Sequence, residues 1–235
     1  MSFNFDYFID CLISGISYLP NTIKLVTIPL SIGLVFGTII ALIRIFKVPV
    51  IGKILGIFVA IYQGIPIVVA LMIYNLLFTL KFNDFAQFCH LNVTVAEVDN
   101  IWVGIIALSL MDTTMITESI RGAFMSVDRG QYEAGYAVGL TKIQTLRRII
   151  IPQMIPVAVP LLTNNIIGTI KGSSVVMAIG ITEVLAGSVI PCSKTYSFLE
   201  GYIAAAVIYW LFTIAVEKIA KMVERKSNKY RGILT

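Results

Sequence analysis

The sequence predicts an all-α fold: an integral membrane helical bundle of about five transmembrane helices, with a short polar helical segment on the cytoplasmic side. Three observations carry that expectation. Of 235 residues, 57% are hydrophobic and only 13% charged, with a mean hydropathy of +0.89, too much apolar surface for one small soluble core. The apolar residues fall in long runs, each near the roughly 20 residues that cross a bilayer. Lys and Arg exceed Asp and Glu by 18 to 13, yet they gather at the ends of those runs instead of forming one basic face. That distribution sets membrane topology and argues against nucleic acid as a partner.

Residues 1–19 form an N-terminal interfacial segment. MSFNFDYFID carries Asp6 and Asp10 and no basic leader, so no cleavable signal is expected, and Phe3 to Leu19 suggest a short interfacial helix on the outer surface. The transmembrane domain, 20–223, opens with a span from about Asn21 to Ile43, in which Ser31, Gly33 and Gly37 offer small packing surfaces. Arg44, Lys47 and Lys53 place its end inside. The next run, Ile54 to Leu80, is broken at Gln63-Gly64-Ile65-Pro66, giving an interfacial or tilted first part and a span from about Pro66 to Leu80. The loop Lys81 to Asn100 holds Asp84, Glu97 and Asp99 against a single Lys and reads as outside.

The third span, Ile101 to Ile120, is the most polar, with Asp112, Thr113, Thr114, Thr117 and Glu118; Arg121 and Arg129 put its end inside. Segment 129–150 follows as a polar, basic island. Gln131 to Val138 suit a helix, Gly139 offers a stop, and Thr141 with Gln144 makes a capping box for a second short helix. The fourth region, Ile149 to Ile190, predicts a helix from near Gln153. At about 1.5 Å per residue it reaches Lys171 after roughly 27 Å, where Gly172 can end it. Val175 to Ile190 then suggest a second, partly re-entrant piece before an outer loop with Pro191, Cys192 and Lys194. The fifth span, Tyr202 to Ala220, leads into a basic cytoplasmic tail, 224–235, with Arg225, Lys226, Lys229 and Arg231. The N-terminus is expected outside and the C-terminus in the cytoplasm.

No internal repeat stands out, and no GxxxxGK[ST] loop is present, so ATP is not bound by that route. Cys11, Cys89 and Cys192 show no CxxC or Cys/His spacing, so neither a metal nor another cofactor is expected. Cys89 and Cys192 both fall in expected outer loops, where a disulfide between them is conceivable and two unpaired thiols are the plainer reading. His90, without a companion, reads as a loop residue.

The order Glu133-Ala134-Gly135, Gly139 six residues after the Glu, Ile149 ten after that, and Ile151-Pro152 resembles the EAA motif of the membrane subunits of bacterial ATP-binding-cassette importers. With Gln131-Tyr132 before it, Arg147 to Gln153 after it and the later Asn-rich span, the resemblance extends over most of the chain to the polar amino acid permeases of the histidine, glutamine and arginine type. Gly135 stands where Ala is commoner. Gln63 to Pro66 resemble the family's Arg-Gly-Thr-Pro turn, Glu118, Arg121 and Gly122 its Glu-x-x-Arg-Gly, and Lys171-Gly172-Ser173-Ser174 its Lys-Asp-Thr/Ser-Ser without the acid.

The resemblance implies an importer permease in a bacterial cell membrane whose segment 129–150 is a coupling helix docking on a separate cytoplasmic ATPase. Two such ATPase subunits, a second permease subunit, identical or a sister chain, and an extracellular solute-binding protein are the implied partners, with an amino acid moved by alternating access. On that basis Glu133, Ala134, Gly135, Gly139, Ile149 and Pro152 are coupling candidates. Asp112, Thr114, Asn164, Asn165, Lys171, Ser173 and Ser174 are substrate-pathway candidates, and Glu118 with Arg121, one turn apart, a structural charge pair. Asp112 has two readings, a site for a substrate ammonium or other cation, leaning towards arginine, lysine, histidine or a cystine-like molecule, and an internal pair with Lys171. The alternative function is an ion-coupled secondary transporter using Asp112 or Glu118, which leaves Glu133 to Pro152 unexplained. A membrane enzyme would need a clustered His, Cys or Ser constellation that the sequence lacks.

Overall fold

The computed structural model describes residues 3–231, with side chains to 225. Helix α1, Phe5–Ser17, is capped by Asn4, whose side chain accepts from the amides of Asp6 and Tyr7. One residue, Tyr18, separates it from α2, Leu19–Ile45. After a short turn come α3, Ile51–Gly64, and α4, Ile67–Phe88, broken at Ile65 and Pro66 as the sequence suggested. The loop expected from Lys81 starts later than predicted. The last turns of α4 hold Lys81 and Asp84 in an i,i+3 ion pair and carry the helix to Phe88.

Helix α5, Ile101–Met125, is the spine of the molecule, with fourteen of its residues buried. Its main partner is α2, and the contact depends on two glycines. A Cβ at Gly33 would lie 2.7 Å from Asp112 Cβ, and one at Gly37 would lie 2.8 Å from the Thr113 carbonyl oxygen. The helices therefore meet backbone to backbone, and Thr117 Oγ1 can donate to the Gly37 carbonyl across them. Two apolar clusters flank this contact. One contains Leu25, Leu71, Leu108 and Val176; the other, nearer the end of α5, contains Ala41, Ile116, Phe124, Ile150 and Met154.

Helices α6, Arg129–Ala137, and α7, Lys142–Thr145, form a hairpin. A π turn, Leu146–Ile150, then leads without interruption into α8, Ile151–Gly172. The helix expected from near Gln153 thus begins further back, because Leu146 to Ile150 keep helical backbone angles through the basic pair Arg147 and Arg148. Prolines 152, 156 and 160 recur every fourth residue in its first half. The partly re-entrant piece is a 3-10 stretch, Ser173–Ile179, a left-handed turn at Gly180 (φ 81°), and α9, Val184–Val189. A single turn, α10, Cys192–Thr195, precedes α11, Phe198–Arg231, which packs on α8, α1 and α9. The first part of the basic tail is thus helical, and residues 232–235 lie outside the described residues. Five segments, Leu19–Ile45, Ile67–Phe88, Ile101–Met125, Lys142–Ile179 and Phe198–Arg225, are long and apolar enough to cross a membrane.

Candidate functional site: the helical hairpin and the polar faces

Between α5 and α8 the chain builds a capped hairpin of two short helices. Asp128 caps α6 by accepting from the Gly130 amide at 2.7 Å. At the other end Gly139 adopts φ 80°, open to glycine without strain, so that its amide reaches Tyr136 O and the Leu140 amide reaches Gly135 O. The expected capping box is present: Thr141 N donates to Gln144 Oε1 at 2.9 Å, and Gln144 N to Thr141 Oγ1 at 3.3 Å. Gly135 is the buried residue of α6 because Thr145 sits directly over it. A Cβ there would lie 2.6 Å from Thr145 Cγ2 and 3.2 Å from Ile149 Cδ1, so Gly135 allows a closer approach than the Ala of the motif would without a shift of Thr145. Gln153 donates to Gln131 at 3.0 Å and ties the start of α8 to α6. Glu133 and Ala134 are exposed on the free face, Ile149 is half-buried beneath it, and Pro152 stands in the first turn of α8.

Beside the hairpin Glu118 makes two ion pairs. One runs to Arg121 Nη2 at 2.7 Å, as its i,i+3 spacing suggested; the other runs to Arg44 at the end of α2. The second partner is tertiary and was invisible in the sequence, where Arg44 marked only a side of the membrane. A groove of about 590 Å³ lined by Arg44, Lys47, Arg121, Arg129, Tyr132 and Glu133 opens next to this cluster.

The pathway candidates divide by helix face. Asn165 and Thr169 turn towards α5: Asn165 Nδ2 donates to Ser119 Oγ at 2.8 Å, and Thr169 Oγ1 donates to Asp112 Oδ1 at 2.6 Å, while Ser173 is fully buried and donates to Ile170 O. Asn164, Gly168 and Lys171 occupy the opposite, exposed face, with Ser174 half-buried at its end. Asn164 borders a shallow groove shared with Glu217, Lys221 and Glu224 of α11. Thr114, on α5, is buried but borders a cavity of about 430 Å³ with Tyr62, Gln63, Met111 and Met115, where Gln63 donates to its carbonyl.

Asp112 is 1% exposed, wedged between Gly33 and Thr169, with Oδ2 buried and without a hydrogen-bond partner among the described residues. The suggested pair with Lys171 is not formed: Lys171 points outward from α8, whereas Asp112 faces the inward side of the same helix. The suggested disulfide between Cys89 and Cys192 is not formed either. Cys89 is exposed at the end of α4, and Cys192 is buried against α1.

One residue escaped sequence reading altogether. Glu183, wholly buried, caps α9 through the amides of Leu185 and Ala186 and accepts from Thr22 Oγ1 and the Tyr209 hydroxyl. It joins α2, α9 and α11 at one point. The signal was available, since a single acid inside the apolar region from Ile149 to Ile190 demands a partner.

The family model described as "Binding-protein-dependent transport system inner membrane component" matches residues 33–229. The chain belongs to that family. As an inner membrane component of this kind, it is 32% identical over 231 residues to the "Probable amino-acid ABC transporter permease protein PatM" of Vibrio harveyi, covering 97% of this chain and 98% of the relative. It is also 33% identical over 210 residues to the "L-cystine transport system permease protein TcyB" of Bacillus subtilis (strain 168), covering 87% and 84%. Among solved structures, a crystal structure of an amino acid ABC transporter with histidines superposes with a TM-score of 0.80 at 30% identity, covering 96% of this chain and all of that one. The inner membrane component is thus an all-α permease subunit, and ATP hydrolysis belongs to a different polypeptide of such systems.

Proposed function

We propose that this permease subunit works in an ATP-driven importer of a polar amino acid, with α6 as the helix that docks on the ATPase. One observation carries the reading: a capped, closely packed hairpin projects Glu133 and Ala134 between two spanning helices and runs directly into α8. Such a hairpin has no role in a lone carrier, and it is built to pass a push from outside the bundle to the bundle itself. Its Lys and Arg neighbours support a cytoplasmic position for this end, with the N-terminus outside and the C-terminus inside. Two ATPase subunits, a second permease subunit and an extracellular solute-binding protein complete the assembly. Glu133, Ala134, Gly135, Gly139, Ile149 and Pro152 serve coupling, and Glu118 with Arg121 and Arg44 fixes the adjoining ends of α5 and α2.

In this reading Asn164 and Lys171, on the open face of α8, line the pathway with Ser174 just beyond its end and the cavity beside Thr114. Asp112, Asn165 and Ser173 support them from behind. The substrate class rests on the relatives, which include amino acid and L-cystine permeases. Enclosed Asp112 gives no separate lean towards a cationic solute.

The test is co-purification of the tagged chain from its native membrane, wild type against Glu133→Lys, with uptake measured in vesicles. Recovery of an ATPase that the variant loses, together with loss of ATP-dependent amino acid uptake, is the expected result. Recovery of this chain alone, with uptake that follows the ion gradient in both forms, would favour the secondary-carrier reading instead.

A further inference from the structure

Cys11 on α1 and Cys192 in α10 are both wholly buried, and their Sγ atoms lie 3.5 Å apart. Ala204 closes the site from α11, with Phe8, Leu12 and Val189 around it. The sulfur of Cys192 occupies space that only a glycine leaves open, since a Cβ at Gly201 would stand 2.5 Å from it. This end of the bundle is opposite the hairpin: α1 joins the start of α2, whereas the other end of α2 carries Arg44 to Glu118.

We infer that Cys11 and Cys192 are oxidised to a disulfide on the extracytoplasmic side, stapling the N-terminal helix to the turn that precedes the last span. The location rests on the orientation proposed above, and compartments outside the cytoplasm favour such bonds. The oxidant is a disulfide-bearing thiol carrier of that compartment. The thiolate of one cysteine attacks the carrier disulfide, releasing one carrier thiol and leaving a mixed disulfide; the second cysteine then displaces the other carrier sulfur. The two protein thiols give up two electrons and two protons, and the carrier disulfide becomes two thiols. Both sulfurs are wholly enclosed once α1 is seated, and burial raises the Cys11 thiol, so a bulky carrier has no access to either sulfur in the folded bundle. Exchange therefore belongs to the interval after Cys192 emerges and before α1 docks. The bond then closes a covalent ring that contains the first four spans.

The test uses the full chain in its native membranes, quenched with acid, denatured and treated with a maleimide-polymer tag with and without reduction. The chain holds three cysteines. One tagged thiol, Cys89, is expected before reduction and three after it, with a linked peptide pair containing Cys11 and Cys192 in the mass spectrum. Cys11→Ser should free Cys192 and raise the count before reduction by one. Three tagged thiols in unreduced wild type would overturn the disulfide. Labelling of Cys89 on intact cells by an impermeant maleimide checks the orientation separately. Outside labelling of Cys89 combined with three free thiols removes the disulfide alone, whereas protection of Cys89 that is lifted by permeabilisation removes the orientation on which it rests.

Discussion

Asp112 holds Thr169 with one carboxylate oxygen and, among the described residues, nothing with the other, in a cleft that Gly33 keeps narrow. What the site asks of this side chain is an acceptor of limited bulk. Asp112→Asn keeps a carbonyl for Thr169, so assembly and uptake near wild-type levels are expected. Asp112→Leu overfills the space against Gly33 and leaves the Thr169 hydroxyl only the Asn165 carbonyl as acceptor, and should destabilise by about 1–3 kcal/mol, read as a lower thermal midpoint of the purified complex. Normal assembly with abolished uptake in Asp112→Asn would instead show that the charge itself meets the solute or an ion. The same residue marks where sequence reading stops. A carboxylate in mid-span was legible as a problem needing a solution. The solution, Gly33 and Thr169 on two other helices, depends on helix rotation that spacing along the chain does not give. Glu118 is a mixed case: Arg121 lies within one turn and was legible, whereas Arg44, 74 residues away, was not.

At the level of elements, the hairpin was the most legible part because its signals are local. Gly139, Thr141 and Gln144 act over three or four residues, and the folded turn uses each as capping chemistry requires. Replacing Gly139 by Ala should cost about 1–2 kcal/mol in the left-handed turn. Faster amide exchange in α6 and α7 and reduced ATP-dependent uptake are expected, while the five spans stay intact. Unchanged exchange would mean that the turn relaxes without strain. The N-terminal helix shows the opposite case. Its loose mixture of aromatic and polar residues reads as an interfacial segment, yet Cys11 and Gly15 are buried against α9, α10 and α11. Gly15 has room for no Cβ beside Ser188, a fit visible only once elements far apart in sequence are brought together.

Across the whole molecule, α8 divides its polar residues between two environments. Asn165, Thr169 and Ser173 are turned into the bundle, and Asn164, Gly168 and Lys171 are turned out of it. A strip of that polarity is costly against lipid, so a second subunit or an aqueous path is its natural neighbour. In a Cys89→Ser background, Asn164→Cys and Gly168→Cys should react with a hydrophilic thiol reagent in the assembled complex, whereas Ile61→Cys and Leu76→Cys, on apolar exposed faces, should not. Equal silence at all four positions would remove α8 from the pathway. The number of spans was legible, because composition sets it; their limits were less so, since α4 runs on to Phe88 and α8 is helical from before Gln153, and which face of each span is inward was not legible at all.

The three prolines at the start of α8 have a mechanical consequence. Positions 152, 156 and 160 are four apart, so they lie within roughly 80° of one another around the helix. Each lacks an amide hydrogen, and the bonds that would stiffen that side are missing in a row. The rod is therefore compliant in one plane and stiff in the plane across it. A load applied at its base bends it along a direction that the placement of the prolines has already chosen.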